Sequence, residues 1–432
     1  MIQVSDAYKE LVKSNIRPKC EPIIKISGID NDGKGIELIW KAKNIKDLTY
    51  KRGIDPVGRE LPYMELTWTE IYTGKLNAES YPEKYNNVTK YMAVELTFMQ
   101  DLGFYNTWKT VYNSEKKWSD LFNSDVTWNE LKKNASVELI KFPRLFLDAR
   151  PTIKGTTITW KAKDVMYFLD LEMSGAMFPS FMKPPELPFF EALENAMHPA
   201  FQYYSNNSNI YDCLLTTAEN LISISEATGY KLTGDICYEM PLNNLMLNYA
   251  NLKNVYWNFL EDGSLNLRRY LIGENGYFKR KTMYSLPEIS RCSNISVYSF
   301  KNYTHDNLTD LFPTKDDMKA NNNNLTSNLI GEIFSEDNPI NPYGENSTEA
   351  VQRFTWLKKY FNSDAITMKF EILPNLAVEP GDCIFTDTNL YEMLDGEEKE
   401  VIKQIAVVSI EIFYNGSIRE KIMGHSYEAG LG

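Results

Sequence analysis

The side chains best suited to hold a metal or move a proton near neutral pH are the three histidines, His198, His305 and His425, because imidazole titrates there and is a common metal ligand. Each stands alone. None has a second histidine at the spacing of an HExxH motif or a cysteine close by. His198, directly before Pro199, reads as the end of a helix. Carboxylates are the next resource, since glycoside hydrolysis needs two of them facing across a bond. The stretches "LEDG" (260–263) and "VEPGD" (378–382) offer such acids. Both are also turn formers, with Asp262 beside Gly263 in a hairpin and Glu379-Pro380-Gly381-Asp382 ahead of a strand. A GxSxG elbow, a P-loop and a GxGxxG turn are missing from the sequence. The expectation is therefore a non-enzymatic chain with no catalytic residue, no metal site and no cofactor.

The sharpest pattern is binding-like. "TWKTVYNSEKKWSDLFNSDVTWNELKKN" (107–134) sets Trp108, Trp118 and Trp128 ten residues apart with an Asn-Ser pair between each. On a continuous helix each ten-residue step turns the indole by about 280°, which scatters the three. A continuous strand would align them, but the Asn-Ser pairs break it. The pattern predicts three short turn-helix units, each planting one Trp with a partner among Val111, Tyr112, Leu121, Phe122 and Leu131. Three uses stay open: clips onto the chain's own domain, anchors of a protein interface, where Trp is enriched, or platforms that stack on sugar rings. Trp108, Trp118, Trp128, Tyr112 and Phe122 are the candidate interaction residues.

Such residues need a scaffold, and 432 residues suffice for two to four domains with sizeable cores. Five cysteines, Cys20, Cys213, Cys237, Cys292 and Cys383, are scattered without CxxC spacing and read as buried thiols of a reducing compartment such as the cytoplasm. The N-terminus has no basic start followed by an apolar run, and no stretch of about eighteen apolar residues occurs, so neither secretion nor membrane insertion is expected. A net charge of −12 argues against holding a phosphate backbone, which needs clustered cations.

The chain divides into three expected parts. Residues 1–173 begin with a helix over 5–15. Period-two strands follow, such as "MELTWTE" and "VELTF", wet on one face, and together they form a first β-barrel with the Trp repeat as an insertion at 104–136. The segment "WKAK" recurs, in "IELIWKAKNI" (36–45) and "TTITWKAKDV" (156–165), as a duplicated barrel edge would. Residues 174–285 form a mixed α/β middle, opened by a proline-rich boundary. It holds a helix over "LNNLMLNYA" and a hairpin turning at Asp262-Gly263. Residues 286–432 form a second β-barrel with an Asn-rich loop at 301–346, a helix at 347–362 and closing strands joined by Asn415-Gly416. The fold class expected is α+β, mainly β: two barrel-like units flanking the middle.

The order of these parts resembles a known family. "VSDAYKELVKSNIRPKCEPIIKI" is similar to its N-terminal helix and first strand, and "TITWKAKDVMYFL" to the end of its first barrel. "PLNNLMLNYANLKNVYWNFLEDGSLNLRR" resembles its helix and hairpin, and "YSLPEISRCSNISVYSF" the strand opening its second barrel. "AVEPGDCIFTD" and "SIEIFYNGSIREKIMGH" resemble its closing strands, and the Trp tandem resembles an insertion in some members. The family is that of the hub or minor tail proteins of tailed phages and prophage-derived tail particles of Gram-positive hosts. It is related in fold to the hub of contractile-tailed phages and to the N-terminal part of siphophage tail-associated proteins.

The resemblance implies a virion structural protein made in the host cytoplasm and placed in the tail, at the baseplate or tail tip. It implies a homotrimer whose two barrels per chain form a pseudo-six-fold ring. That ring would join the tail tube or distal ring to a spike or fibre, and DNA would pass its lumen without specific binding. No lytic activity is implied. The acidic balance suggests a lumen that repels DNA. The alternative reading is a tail-borne carbohydrate-binding protein that meets the host surface through the Trp arm.

Overall fold

The computed structural model describes residues 2–13, 19–30, 33–54, 61–72, 85–102, 137–168, 186–188, 204–225, 231–233, 246, 250, 255–269, 277–278, 288–291, 296–300, 328–334, 366–386, 391–394, 397–400 and 404–426. Helix α1 (Asp6–Lys13) begins the chain. The Ser5 side chain accepts from the Tyr8 N–H at 3.2 Å, capping the helix. Tyr8 and Val12 are buried. Nine strands follow: β1 (Cys20–Ile29), β2 (Gly35–Lys41), β3 (Ile45–Gly53), β4 (Tyr63–Ile71), β5 (Ala93–Asp101), β6 (Val137–Lys141), β7 (Leu145–Leu147), β8 (Thr152–Lys154) and β9 (Thr157–Lys163). The middle supplies β10 (Glu186–Pro188), helix α2 (Ser208–Ser225), β11 (Lys231–Thr233), β12 (Val255–Phe259) and β13 (Leu265–Arg269). Next come β14 (Tyr277–Phe278), β15 (Glu288–Arg291), β16 (Ser296–Phe300), β17 (Asn328–Phe334) and β18 (Ile366–Ile372). The last strands are β19 (Cys383–Thr386), β20 (Tyr391–Leu394), β21 (Glu397–Glu400), β22 (Gln404–Tyr414) and β23 (Ile418–Ser426).

The expected alternation is realised. Met64, Leu66 and Trp68 on β4 and Val94, Leu96 and Phe98 on β5 are buried, while Glu65, Thr67 and Thr69 point outward. Two separate closed barrels are not what these strands build. Among the described residues, fifteen strands share one sheet, with the main order β15-β18-β23-β22-β3-β4-β9-β7-β5-β1-β2. The decisive pair is β22 with β3, antiparallel from Ser409↔Gly53 to Tyr414↔Leu48. The opening residues of β22 pair instead with β19, Cys383 opposite Ala406. One eleven-residue strand thereby serves both halves. Period-two patterning assigns each strand an inner and an outer face but says nothing about its neighbour, so the fusion of the halves is a finding of the structure.

The N-terminal part curls on itself. Trp40 of β2 reaches β4 and donates its Nε1–H to Glu70 at 2.8 Å. The Tyr85 hydroxyl donates to the same carboxylate at 2.6 Å. Trp68 and Trp160 face each other in register and stack at 5.7 Å between centroids. Trp40 sits edge-on to Trp160 at 5.0 Å. The two WKAK segments therefore place their tryptophans and alanines in one common core rather than on duplicated barrels. Each segment ends its strand in a helical turn. After β9 that turn is capped by Asp164, which accepts from the Tyr167 N–H at 2.9 Å and the Met64 N–H at 2.5 Å.

The expected loop over 301–346 is corrected in part. Residues 328–334 form β17, parallel to β16, because "NLIGEIF" has the apolar content of a strand that its Asn-rich approach masks. The helix expected at 347–362 lies outside the described residues. Of the helix expected over "LNNLMLNYA" (242–250), Met246 and Ala250 are described and both are helical. Helix α2 carries no motif and escapes the sequence reading. Yet Ile210, Cys213, Leu214 and Thr217 recur at helical spacing and are all buried.

Candidate functional site

Where the two halves meet, charge is buried. Leu48, Tyr50 and Arg52 occupy the inward phase of β3, so a guanidinium stands where the pattern calls for an apolar side chain. The turn Glu379-Pro380-Gly381-Asp382 enters from the C-terminal half, and the β12–β13 hairpin from the middle. Arg52 donates Nη1–H to Glu379 Oε1 at 2.7 Å and Nη2–H to Asn258 Oδ1 at 2.5 Å. Arg268 of β13 donates to Glu379 Oε2 at 3.1 Å and approaches Asp382 Oδ1 at 3.5 Å. The second Asp382 oxygen accepts the Glu379 N–H at 2.8 Å. Arg52 and Asp382 are each 1% exposed at the side chain.

This arrangement ties three segments more than a hundred residues apart. Burial by itself would push the Glu379 carboxyl up, but the charges around it, Arg52 foremost, hold it at about 2. Near neutral pH it is an anion gripped on both oxygens, which suits a fastener and not a proton donor. Asp262 is engaged as the sequence reading has it: it accepts from Ser264 N at 2.9 Å and Ser264 Oγ at 2.6 Å within its turn. Glu261 pairs with Lys141 at 2.9 Å.

The buried acids pull stability in opposite directions with pH. Burial, opposed by the Met64 and Tyr167 N–H donors, raises the Asp164 carboxyl to about 6. A folded value above the unfolded one means stability rises as pH falls from about 6 towards about 4. Asp382, also raised by burial, acts in the same sense. Glu379 sits below its unfolded value, so its contribution disappears as pH falls from about 4.5 to about 2. Thermal unfolding followed across pH 2–7 is expected to give highest stability near pH 4–5. Asp164→Asn should flatten the limb above the maximum and leave the acid limb intact. An unchanged upper limb in that variant would remove Asp164 from the account.

The outward face of the same sheet carries a second ordered array. Register brings Glu371, Lys421, Glu411, Lys51, Glu65 and Lys163 side by side across β18, β23, β22, β3, β4 and β9. Lys51 pairs with Glu411 at 3.0 Å directly across the join of the halves. Lys163 pairs with Glu65, and Arg419 with Glu371 at 3.6 Å. Directly opposed unlike charges favour this register over a two-residue slip.

Trp108, Tyr112, Trp118, Phe122 and Trp128 lie outside the described residues, as do His198 and His305; His425 is on β23. Among the described residues, no cluster of three or more His, Cys, Asp or Glu is placed to hold a metal. No described helix is long and apolar enough to cross a membrane. Cys20, Cys213 and Cys383 are free thiols, and burial pushes Cys20 up to about 12. The buried Arg52–Glu379–Arg268–Asp382 junction went unread in the sequence. Its one legible signal was an arginine in the buried phase of "LTYKRG".

No protein-family model matches the chain, and a comparison with curated proteins returns no match. Among solved structures the chain is similar to the 43 kDa tail protein of prophage MuSo2 from Shewanella oneidensis, at 9% identity over 94% of this chain and 97% of that one, TM-score 0.46. It is similar to a tail protein from Neisseria meningitidis MC58, at 8% identity over 94% and 97%, TM-score 0.44. A third is a chain of the lidded Francisella PdpA–VgrG complex, at 11% identity over 96% of this chain and 54% of that one, TM-score 0.43. The Gram-positive host attached to the sequence resemblance is not supported by them.

Proposed function

We propose that the chain is a structural component of a virion tail, a trimeric hub that joins the tail tube or distal ring to a spike or fibre and surrounds the path of DNA. The observation that carries this reading is the β3–β22 pairing, which makes one sheet of strands from both ends of the chain. A junction piece must hold two attachment surfaces in fixed relation. A continuous antiparallel sheet, fastened from behind by the buried arginine–carboxylate junction, supplies that rigidity without a hinge. The order of sequence parts described above supports the same reading independently. The protein has no catalytic role in this account.

Closed rotational symmetry is what such a junction requires. The native mass of the purified chain, with negative-stain images, is expected to give three chains in a ring with a central hole. A monomer that fails to close even when offered purified tail tubes would count against the hub and move the weight to a peripheral adaptor.

A further inference from the structure

We propose that the outward face of the sheet across β18, β23, β22, β3, β4 and β9 is a contact surface for duplex DNA. It touches the phosphate backbone weakly and releases it at ordinary ionic strength. The inference rests on the tail reading above and names the side of the molecule that meets the nucleic acid.

The net charge of −12 is distributed unevenly. The three rows of outward side chains centred on the ladder hold six cations, Lys51, Lys161, Lys163, Lys369, Arg419 and Lys421, against three carboxylates, Glu65, Glu371 and Glu411. A face of net +3 thus sits in a strongly acidic chain. The uniformly repulsive wall suggested by composition is not what this face presents.

Pairing divides the cations. Lys51, Lys163 and Arg419 each neutralise one carboxylate. Lys161, Lys369 and Lys421 make no ion pair among the described residues. Lys421 instead lies over the Phe413 ring at 4.9 Å, which covers the aromatic in the middle of the face. Thr49, Thr67 and Ser409 fill places between the charges, and the apolar side chains of these rows are Phe413, Met423 and the exposed Tyr63. Lys369 and Lys421 also rim a depression of about 440 Å³ between β18, β23 and β22. Lysines without a carboxylate partner engage phosphates without reading bases. Three such contacts are few enough to be reversed by salt, because each phosphate neutralised returns counterions to solution.

The test is fluorescence anisotropy of a 30-bp duplex of arbitrary sequence with the purified full chain in 50 and 200 mM NaCl. Three contacts predict a slope of log affinity against log salt of about −2.7, so affinity falls about 40-fold between the two conditions. The triple variant Lys161→Gln/Lys369→Gln/Lys421→Gln should lose binding at 50 mM. Glu65→Gln/Glu371→Gln/Glu411→Gln frees three more cations and should bind more tightly at 50 mM with a slope of about −5.4. Absence of binding at 50 mM by the parent chain, or a slope that neither triple variant moves, overturns the proposal. So does a change of native mass in the lysine variant without a change in DNA binding, which would make this face a contact between copies. Negative-stain images of the same samples separate the two readings. A ring that ignores DNA sinks this inference and leaves the hub; a monomer that stays open on purified tail tubes yet binds DNA with the predicted slope sustains the inference and counts against the hub.

Discussion

Arg52→Ala is expected to cost about 3–5 kcal/mol of folding stability, the range for removing one partner of a buried ion pair. The guanidinium is 1% exposed and Glu379 10% at the side chain, so solvent cannot replace what is lost. The variant leaves one Glu379 oxygen without its 2.7 Å donor and Asn258 Oδ1 without its 2.5 Å donor, each in a site closed to water. Arg268 still holds the second carboxylate oxygen, so the junction should weaken instead of bursting. Denaturant unfolding checks the size. A companion measurement checks the cause: without Arg52, Glu379 should titrate closer to an ordinary carboxyl, and the acid limb of the stability profile should move to higher pH. The double variant Arg52→Met/Glu379→Gln, which removes both charges, should be more stable than Arg52→Ala alone. A loss below about 1 kcal/mol in Arg52→Ala would show that the halves are held by strand pairing without the junction.

The contrast with the ladder on the other face is instructive. Lys51 and Glu411 are half-exposed and make a cross-strand pair at the same join, yet such a pair is worth only about 0.2–1 kcal/mol. Two charge contacts made by consecutive residues of β3 thus differ several-fold in consequence, because one side chain is buried and the other is half-exposed. The ladder sets register and the junction sets cohesion.

Most of the strands were legible because their chemistry is local. The alternation of Met64, Leu66 and Trp68 fixes a face, and Asp262-Gly263 and Asn415-Gly416 mark turns whose glycines take positive φ, 86° and 100°. Which strands become neighbours was not legible, because β3 and β22 are separated by about 350 residues and nothing in either names the other. The WKAK recurrence was visible, but its meaning, two tryptophans at 5.0 Å in one core, depends on the curl of the sheet. The same limit hid the junction. Read singly, Glu379 and Asp382 are turn residues, and so they are; only the fold brings Arg52 and Arg268 onto them. Helix α2 was missed for a different reason: its "DCLLTTAENLIS" mixes polar and apolar residues evenly enough that no turn, cap or motif draws the eye to its buried stripe.

Gly381→Ala is expected to be the second severe change, destabilising by more than about 3 kcal/mol, from two costs that act together. The backbone holds φ at +88°, a conformation that costs a non-glycine residue about 1–3 kcal/mol. A Cβ at this position would lie 1.9 Å from the Tyr256 hydroxyl and 2.3 Å from its ring carbon, and relief of such overpacking typically costs a further 1–3 kcal/mol. The turn has little room to retreat, because the Gly381 N–H donates to Val407 O at 2.7 Å and the Val407 N–H donates back to Asp382 O at 2.9 Å. Nor has Tyr256, which is buried on the β12–β13 hairpin. A shift of either would drag Asp382 or Asn258 away from the arginines, so this methyl group should disturb the same junction that Arg52→Ala breaks. The steric share is measured by a cycle with Tyr256→Leu. The double variant should be at least about 1 kcal/mol more stable than the two separate losses added together. Strict additivity would assign the whole effect to backbone strain, and the hairpin would then make no tight contact with the turn.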